Sequence, residues 1–212
     1  MIPSLVIYLL RHGETEGHKK VYKGHIDVPL SKEGERQVEK VACFLKKYSD
    51  KYNFKREIIY SSPLKRAITT AEILNKELSL RIKSTDDLKE RSFGKWEGLS
   101  INEILSLYPE DFEKWRMNPA IFSPPEGEST IDVSKRAKKT IKEILKNHDK
   151  NQVFIVAHGG INRVILCNIL GIPLENIFRI EQDFACVNIV EFYEDVPVVK
   201  LVNGVFWADE SF

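Results

Sequence analysis

Cysteine is scarce in this chain: Cys43, Cys167 and Cys186 are odd in number, far apart, and form no C-x-x-C pair. That scarcity speaks against a disulfide framework and a thiolate zinc site, and all three are expected to be buried apolar fillers. No apolar run approaches the roughly 18 to 20 residues needed to span a bilayer. The run nearest the N-terminus, Leu5 to Leu10, is preceded by no basic side chain and followed directly by Arg11 and His12, so it does not read as a secretory signal. A cytoplasmic location is the expectation. An excess of one charge is lacking too: 32 Lys and Arg against 31 Asp and Glu give a formal net charge of +1. General binding to nucleic acid or to a membrane surface therefore has no electrostatic basis, and the expected partner is a small molecule rather than a polymer.

What is present suits one good core. The chain has 212 residues, 42% of them hydrophobic, with no internal repeat, low-complexity tract or composition break, so one domain is expected across residues 1–212. Leu5 to Leu10 and Gln152 to Ala157 read as strands buried on both faces, which suggests a covered, largely parallel sheet. Shorter strands are expected at Glu57 to Ser61, Arg81 to Lys83, Val187 to Phe192 and Val198 to Val202. Helical periods join Val38, Val41, Ala42 and Leu45, and again Val133, Ala137, Ile141, Ile144 and Leu145. Ser31 precedes the first of these helices, Ser62-Pro63 offers a cap with proline at the first helical position, and Ser100 to Glu103 has capping-box form. A helix over 161–170 should end at Gly171, with Pro173 beyond. Alternating strands and helices make the class α/β. The stretch 118–128, with Pro119, Pro124, Pro125 and Gly127, is the longest irregular segment and has the length of a lid or rim.

In open α/β sheets ligands bind at the carboxyl ends of strands, and the ends here carry polar cargo. RHG at 11–13, SSPLKR at 61–66 and HGG at 158–160 each follow an assigned strand, and LKERSFGKWEG at 88–98 adds Glu90. Two histidines, two arginines and a carboxylate suit phosphoryl transfer to nitrogen. A neutral histidine can attack phosphorus with one ring nitrogen while the other donates a hydrogen bond that fixes its tautomer, and His12 is the candidate. Arg11 and Arg66 can hold the non-bridging oxygens, Arg66 with help from its helix N-terminus, and His158, protonated or donating, would be a third phosphate ligand. The departing alkoxide needs a proton, which assigns Glu90 as acid and then base, with Glu97 as the competing carboxylate. Each residue has a plainer reading alone: a structural histidine, a solvated arginine, Arg11 paired with Glu14, Arg66 with Glu72, Glu90 bridging to Arg91. Their convergence at independent strand ends carries the argument.

RHGET, SSPLKRA, the E-R-S-F-G-x-W-E-G element and AHGG, in that order, resemble the motifs of the histidine phosphatase superfamily, also called the phosphoglycerate mutase-like family. The resemblance runs from about Leu5 to Phe192. It implies a three-layer α/β/α sandwich with a mostly parallel central sheet, a phosphohistidine on His12, a phosphate pocket of Arg11, Arg66 and His158, and Glu90 as proton donor. No metal and no other cofactor is expected, since side chains supply the positive charge. One departure stands out: where the family's first motif continues to a phosphate-holding asparagine, this chain has His18, which either substitutes as a donor or leaves that contact unmade.

The resemblance also narrows the ester. No paired-arginine motif accompanies Lys114 and Arg116 between Trp96 and Pro125, so phosphatase is favoured over mutase. YKGHIDVPLSKEG (22–34) and FRIEQDFACVNIVEF (178–192) are similar to stretches of α-ribazole phosphatases, which act in cobalamin assembly, and to related broad-specificity enzymes. The expected substrate is α-ribazole 5′-phosphate, with phosphoserine, a sugar phosphate or general phosphomonoesters as the alternative and a homodimer as the assembly to test. A non-catalytic binding module would conflict with the intact set of Arg11, His12, Arg66, Glu90 and His158. The basic loop of His18, Lys19, Lys20, Lys23 and His25 reads as a solvated rim that steers small phosphates rather than a polyanion site.

Overall fold

The opening apolar run forms β1 (Leu5–Arg11) in the computed structural model, which describes residues 2–17, 20–194 and 196–208. Its side chains serve two cores at once. Leu5, Ile7 and Leu9 pack with Val133 and Ala137 of α5 (Thr130–Asn147) and Ile161 of α6 (Gly159–Leu170). Val6, Tyr8 and Leu10 pack instead with Val38 and Leu45 of α1 (Lys32–Ser49) and Leu74 of α2 (Lys65–Leu78). A strand of period two with both faces covered must be apolar at every position, which is why the sequence shows a run rather than an alternation. The helices cover opposite faces, giving the α/β/α layering that the resemblance implies.

Among the described residues the sheet has six strands. It is completed by β2 (Lys55–Ser61), β3 (Arg81–Ser84), β4 (Asn151–Ala157), β5 (Val187–Tyr193) and β6 (Val196–Gly204), in the order β3-β2-β4-β1-β5-β6. β1 to β4 are mutually parallel, while β5 runs against both of its neighbours, so the mostly parallel expectation holds with one reversed strand. Register then places the chemistry. Arg11 pairs with Ala157 and Ser61 with Val156, so three parallel strands finish along one edge. The next residues in the chain are His12, Ser62 and His158.

Several local signals hold. Ser31 caps α1 by accepting from Gly34 N, and Ser100 caps α3 (Ile101–Leu107) in a capping box with Glu103. α6 ends at Gly171, whose left-handed φ of 67° is the expected stop. Others need correction. α2 starts at Lys65, so Pro63 lies outside the helix and Ser62 is not its cap residue. The capping oxygen comes from a distant loop: Asp27 Oδ1 accepts from Lys65 N at 2.7 Å, while Ser62 faces His158. Cys43 is exposed rather than buried, because Val41, Ala42 and Leu45 turn the inner face of α1 away from it. Leu145 is likewise exposed, beyond the stripe that buries Ile144.

A further helix, α4 (Pro109–Met117), was not anticipated. It buries no residue fully and is attached through Phe112 and Trp115, whose rings stand 6.3 Å from the fully buried Trp96. The irregular 118–128 stretch is real but tied down. Arg91 donates to Phe122 O at 2.8 Å and to Glu128 O at 2.7 Å, and Lys95 N donates to Pro125 O. It braces the segment carrying Glu90 from behind. Among the described residues no helix is long and apolar enough to cross a membrane.

Candidate active site

The strand edge opens into a cavity of about 260 Å³ whose walls include Arg11, His12, Arg66 and Glu90. Wider surface depressions occur beside Tyr22 and Ile101 and beside Tyr193 and Val196, but neither gathers a comparable polar set. His12 lies at the cavity floor, its backbone N–H bonded to Ala157 O. Its Nδ1 is 2.7 Å from Gly13 O. A carbonyl only accepts, so Nδ1 carries the proton and the Nε2 lone pair is left toward the cavity. Burial, then Arg11 and Arg66, hold the His12 pKa well below its ordinary value, which keeps the ring neutral. Gly13 permits this placement, since a side chain there would collide with the carbonyl of Gly34 in the first turn of α1.

Arg11 and Arg66 approach the same floor from different elements. Arg11 donates through Nη1 to Gln182 O at 2.6 Å and lies 4.0 Å above the Phe184 ring, while its buried Nε has no protein partner. Arg66, in the first turn of α2, is buried and fixed on three sides: to Ile26 O, to Gly24 O, and through Nε to His158 Nδ1 at 3.2 Å. His158 Nδ1 therefore accepts, and Nε2–H is free to donate to Ser62 Oγ at 2.8 Å. Both of its nitrogens are thus engaged by protein. Burial, then His12, Arg66 and Arg11, hold its pKa well below the ordinary value, which favours the neutral ring. Its ring centroid is 5.1 Å from that of His12.

Glu90 reaches the cavity from the opposite wall. Its carboxylate accepts from Gly160 N at 2.9 Å and Ile161 N at 3.2 Å, at the N-terminus of α6, and from Arg91 N. A Cβ on Gly160 would push into that carboxylate, so any side chain there would displace Glu90. From behind, Arg136 and His25 both donate to Glu90 O, at 3.0 and 2.8 Å. Glu97 is placed otherwise: it accepts from His25 N and Phe93 N and holds the loop together. His18 lies outside the described residues.

The cavity residues that the sequence reading did not assign to the site include Arg163, Phe184 and Lys23. Arg163 follows Gly159 by four positions on α6, the spacing that puts two residues on one helix face, so a periodic reading could have found it. Phe184 had no local signal. Lys23, read as part of a solvated rim, instead lines the cavity and donates to Thr15 Oγ1. Burial and the neighbouring Arg66 and Arg11 lower its pKa. Among the described residues no group of three His, Cys, Asp or Glu side chains is arranged to hold a metal ion.

Comparison with known proteins agrees with the motif reading. The sequence pattern of the histidine phosphatase superfamily (branch 1) matches residues 7–204. Phosphoserine phosphatase 1 of Hydrogenobacter thermophilus is 30% identical over 93% of this chain and 91% of its own length. The adenosylcobalamin/α-ribazole phosphatase of Escherichia coli is 22% identical over 93% of this chain and 95% of its own. The structure of Bacillus stearothermophilus YhfR superposes with a TM-score of 0.86 at 26% identity, covering 97% of this chain and all of that one. With its ordered motifs delivered to one strand edge and the superfamily pattern spanning nearly the whole sheet, the chain belongs to the histidine phosphatase superfamily.

Proposed function

We propose that this chain hydrolyses small phosphomonoesters through a phosphohistidine on His12. The observation that carries the reading is the tautomer of His12: Nδ1–H is held by Gly13 O, so a neutral Nε2 faces a cavity walled by two arginines. Nε2 attacks phosphorus and the ester P–O bond breaks. The departing alkoxide takes a proton from Glu90. Water then gives a proton back to Glu90 while its oxygen attacks the phosphohistidine, the P–N bond breaks, and inorganic phosphate leaves. Arg11 and Arg66 match the charge on the equatorial oxygens. His158 orders Arg66 rather than carrying charge itself. No step needs a metal ion, and the reaction is assigned to a cytoplasmic enzyme.

For the ester, the relative named as a phosphoserine phosphatase, at 30% identity, supports an amino-acid or hydroxy-acid phosphate over the α-ribazole 5′-phosphate first expected. The α-ribazole reading keeps the support of the 178–192 segment, which supplies Phe184 beneath Arg11. The experiment for the central claim is a quench during turnover. An acid-labile, base-stable phosphoryl group on wild-type protein, absent from a nearly inactive His12→Ala variant, is the expected result. An acid-stable label on serine, or full activity without His12, would overturn it.

A further inference from the structure

Four consecutive residues of the loop between β1 and α1, Gly24 to Asp27, make bonds to both halves of the catalytic machinery. Gly24 O and Ile26 O accept from Arg66 Nη2 and Nη1 at 2.7 and 2.8 Å, and Asp27 Oδ1 accepts from Lys65 N beside it. His25, between them, turns the other way. Its ring Nε2 lies 2.8 Å from Glu90 O, and its backbone N–H donates to Glu97 Oε1 at 3.0 Å. A carbonyl only accepts, so Nε2 carries the proton and the ring is the donor. Gly24 lets the loop come this close: its φ of 49° is left-handed, and a Cβ there would run into the Glu97 carboxylate. Residues 24–27 thus form a strap from Arg66 to Glu90.

The contacts of Glu90 show what the strap adds. Its carboxylate is held by the backbone N–H groups of Gly160, Ile161 and Arg91, while its carbonyl accepts from His25 and Arg136. Those two donors differ in reach. Arg136 also binds Asp87 O, Lys89 O and the Glu128 carboxylate, so it orders the whole 87–90 segment, whereas His25 ties Glu90 to the loop that Arg66 grips. We propose that His25 is a positioning residue for Glu90, holding the peptide of the proton donor in register with Arg66 so that its carboxyl group meets the departing oxygen of a gripped phosphoryl group. The inference rests on the hydrolase reading above. Placement matters here, since a shift of about 1 Å at a reacting group can cost on the order of 10² in rate.

The test compares single-turnover rates on an alkyl phosphate, O-phosphoserine or glycerol 2-phosphate, with those on p-nitrophenyl phosphate, whose leaving group needs no proton. His25 is exposed, so its replacement opens no core. His25→Ala should slow the alkyl ester by about threefold to tenfold, the worth of one hydrogen bond, and p-nitrophenyl phosphate by a smaller factor. His25→Gln, which keeps an N–H donor, should recover most of the loss. Added to Glu90→Gln, His25→Ala should cost nothing further, because it acts through the group already removed. An unaltered alkyl rate in His25→Ala, equal losses on the two esters, or an additive loss in the double variant would each overturn the inference. Equal losses in Glu90→Gln itself would instead remove the acid assignment, and failure of the wild-type protein to turn over p-nitrophenyl phosphate would remove the hydrolase reading, this inference falling with either.

Discussion

Arg66 donates through Nε to His158 Nδ1 across 3.2 Å, and this one bond ties the first turn of α2 to the end of β4. The acceptor nitrogen must be unprotonated. A proton there would set N–H against N–H and place a second positive charge beside the guanidinium, so this one of the three anchors of Arg66 holds only while His158 is neutral.

That requirement gives the fold a pH dependence. His12 and His158 both have depressed pKa values, so as pH falls through about 6.5 the unfolded chain takes up protons before the folded one does. Stability is fully present above the unfolded value and is lost on acidification. Between pH 7 and pH 5 it should fall by up to about 1.4 kcal/mol per pH unit for each of the two rings. Glu128, Asp132 and Glu191, depressed from carboxylate values, act only at lower pH. Denaturant midpoints at pH 5, 6 and 7 check this, and His158→Asn should flatten the dependence. Identical midpoints in the wild-type protein would contradict it.

The same depression of His12 places the acid limb of kcat/KM below pH 6.5, since the nucleophile stays neutral there. A limb centred above 7 would show that another group controls it.

Glu90→Gln should discriminate between leaving groups. General acid catalysis contributes on the order of 10² to 10⁴ in rate, and less when the leaving group is already a stable anion. Single-turnover rates should therefore drop far more for an alkyl phosphate than for p-nitrophenyl phosphate. Equal losses would reduce Glu90 to an electrostatic role, and an inactive Glu97→Gln beside a normal Glu90→Gln would exchange the two assignments.

Asp27→Ala removes the oxygen that accepts from Lys65 N and should cost about 1 kcal/mol of stability, the usual worth of a helix cap. Because Arg66 is the next residue, KM should rise as well. A variant with lower stability and an unaltered KM would separate the cap from the phosphate site.

Activity is expected to survive exhaustive chelation and to be inhibited by vanadate, whose trigonal-bipyramidal form mimics the transferring group. Loss on chelation, restored by Mg²⁺ or Zn²⁺, would be the opposing result.

The fold was legible where burial is uniform. Leu5 to Leu10 and Gln152 to Ala157 are covered on both faces, so composition alone reports them, and the polar residues that follow stand out against the run. Elsewhere the signals were present and misread, or absent. Cys43 lies between residues that define the inner face of α1, so its outward direction could have been derived from helical period rather than from residue type. The cap supplied by Asp27 could not, because it crosses 38 positions while capping rules are local. Arg163 carried one signal, its four-residue spacing from Gly159 on α6, and that spacing shows its place in the cavity only once Gly159 is known to face it.

The reversal of β5 has a consequence for how the enzyme is made. The four parallel strands point their carboxyl ends at the site, but β5 points its beginning there, so Gln182 and Phe184 arrive just ahead of it. Arg11 is anchored to Gln182 O, 171 positions away. A nascent chain emerging from the ribosome can pair β1 with β4 and bring His12 beside His158 while its arginine still lacks both its carbonyl anchor and its aromatic shelf. The anchoring of Arg11 is thus completed only after residue 182 has been made, and chains truncated before it should lack the carbonyl that fixes Arg11 beside His12.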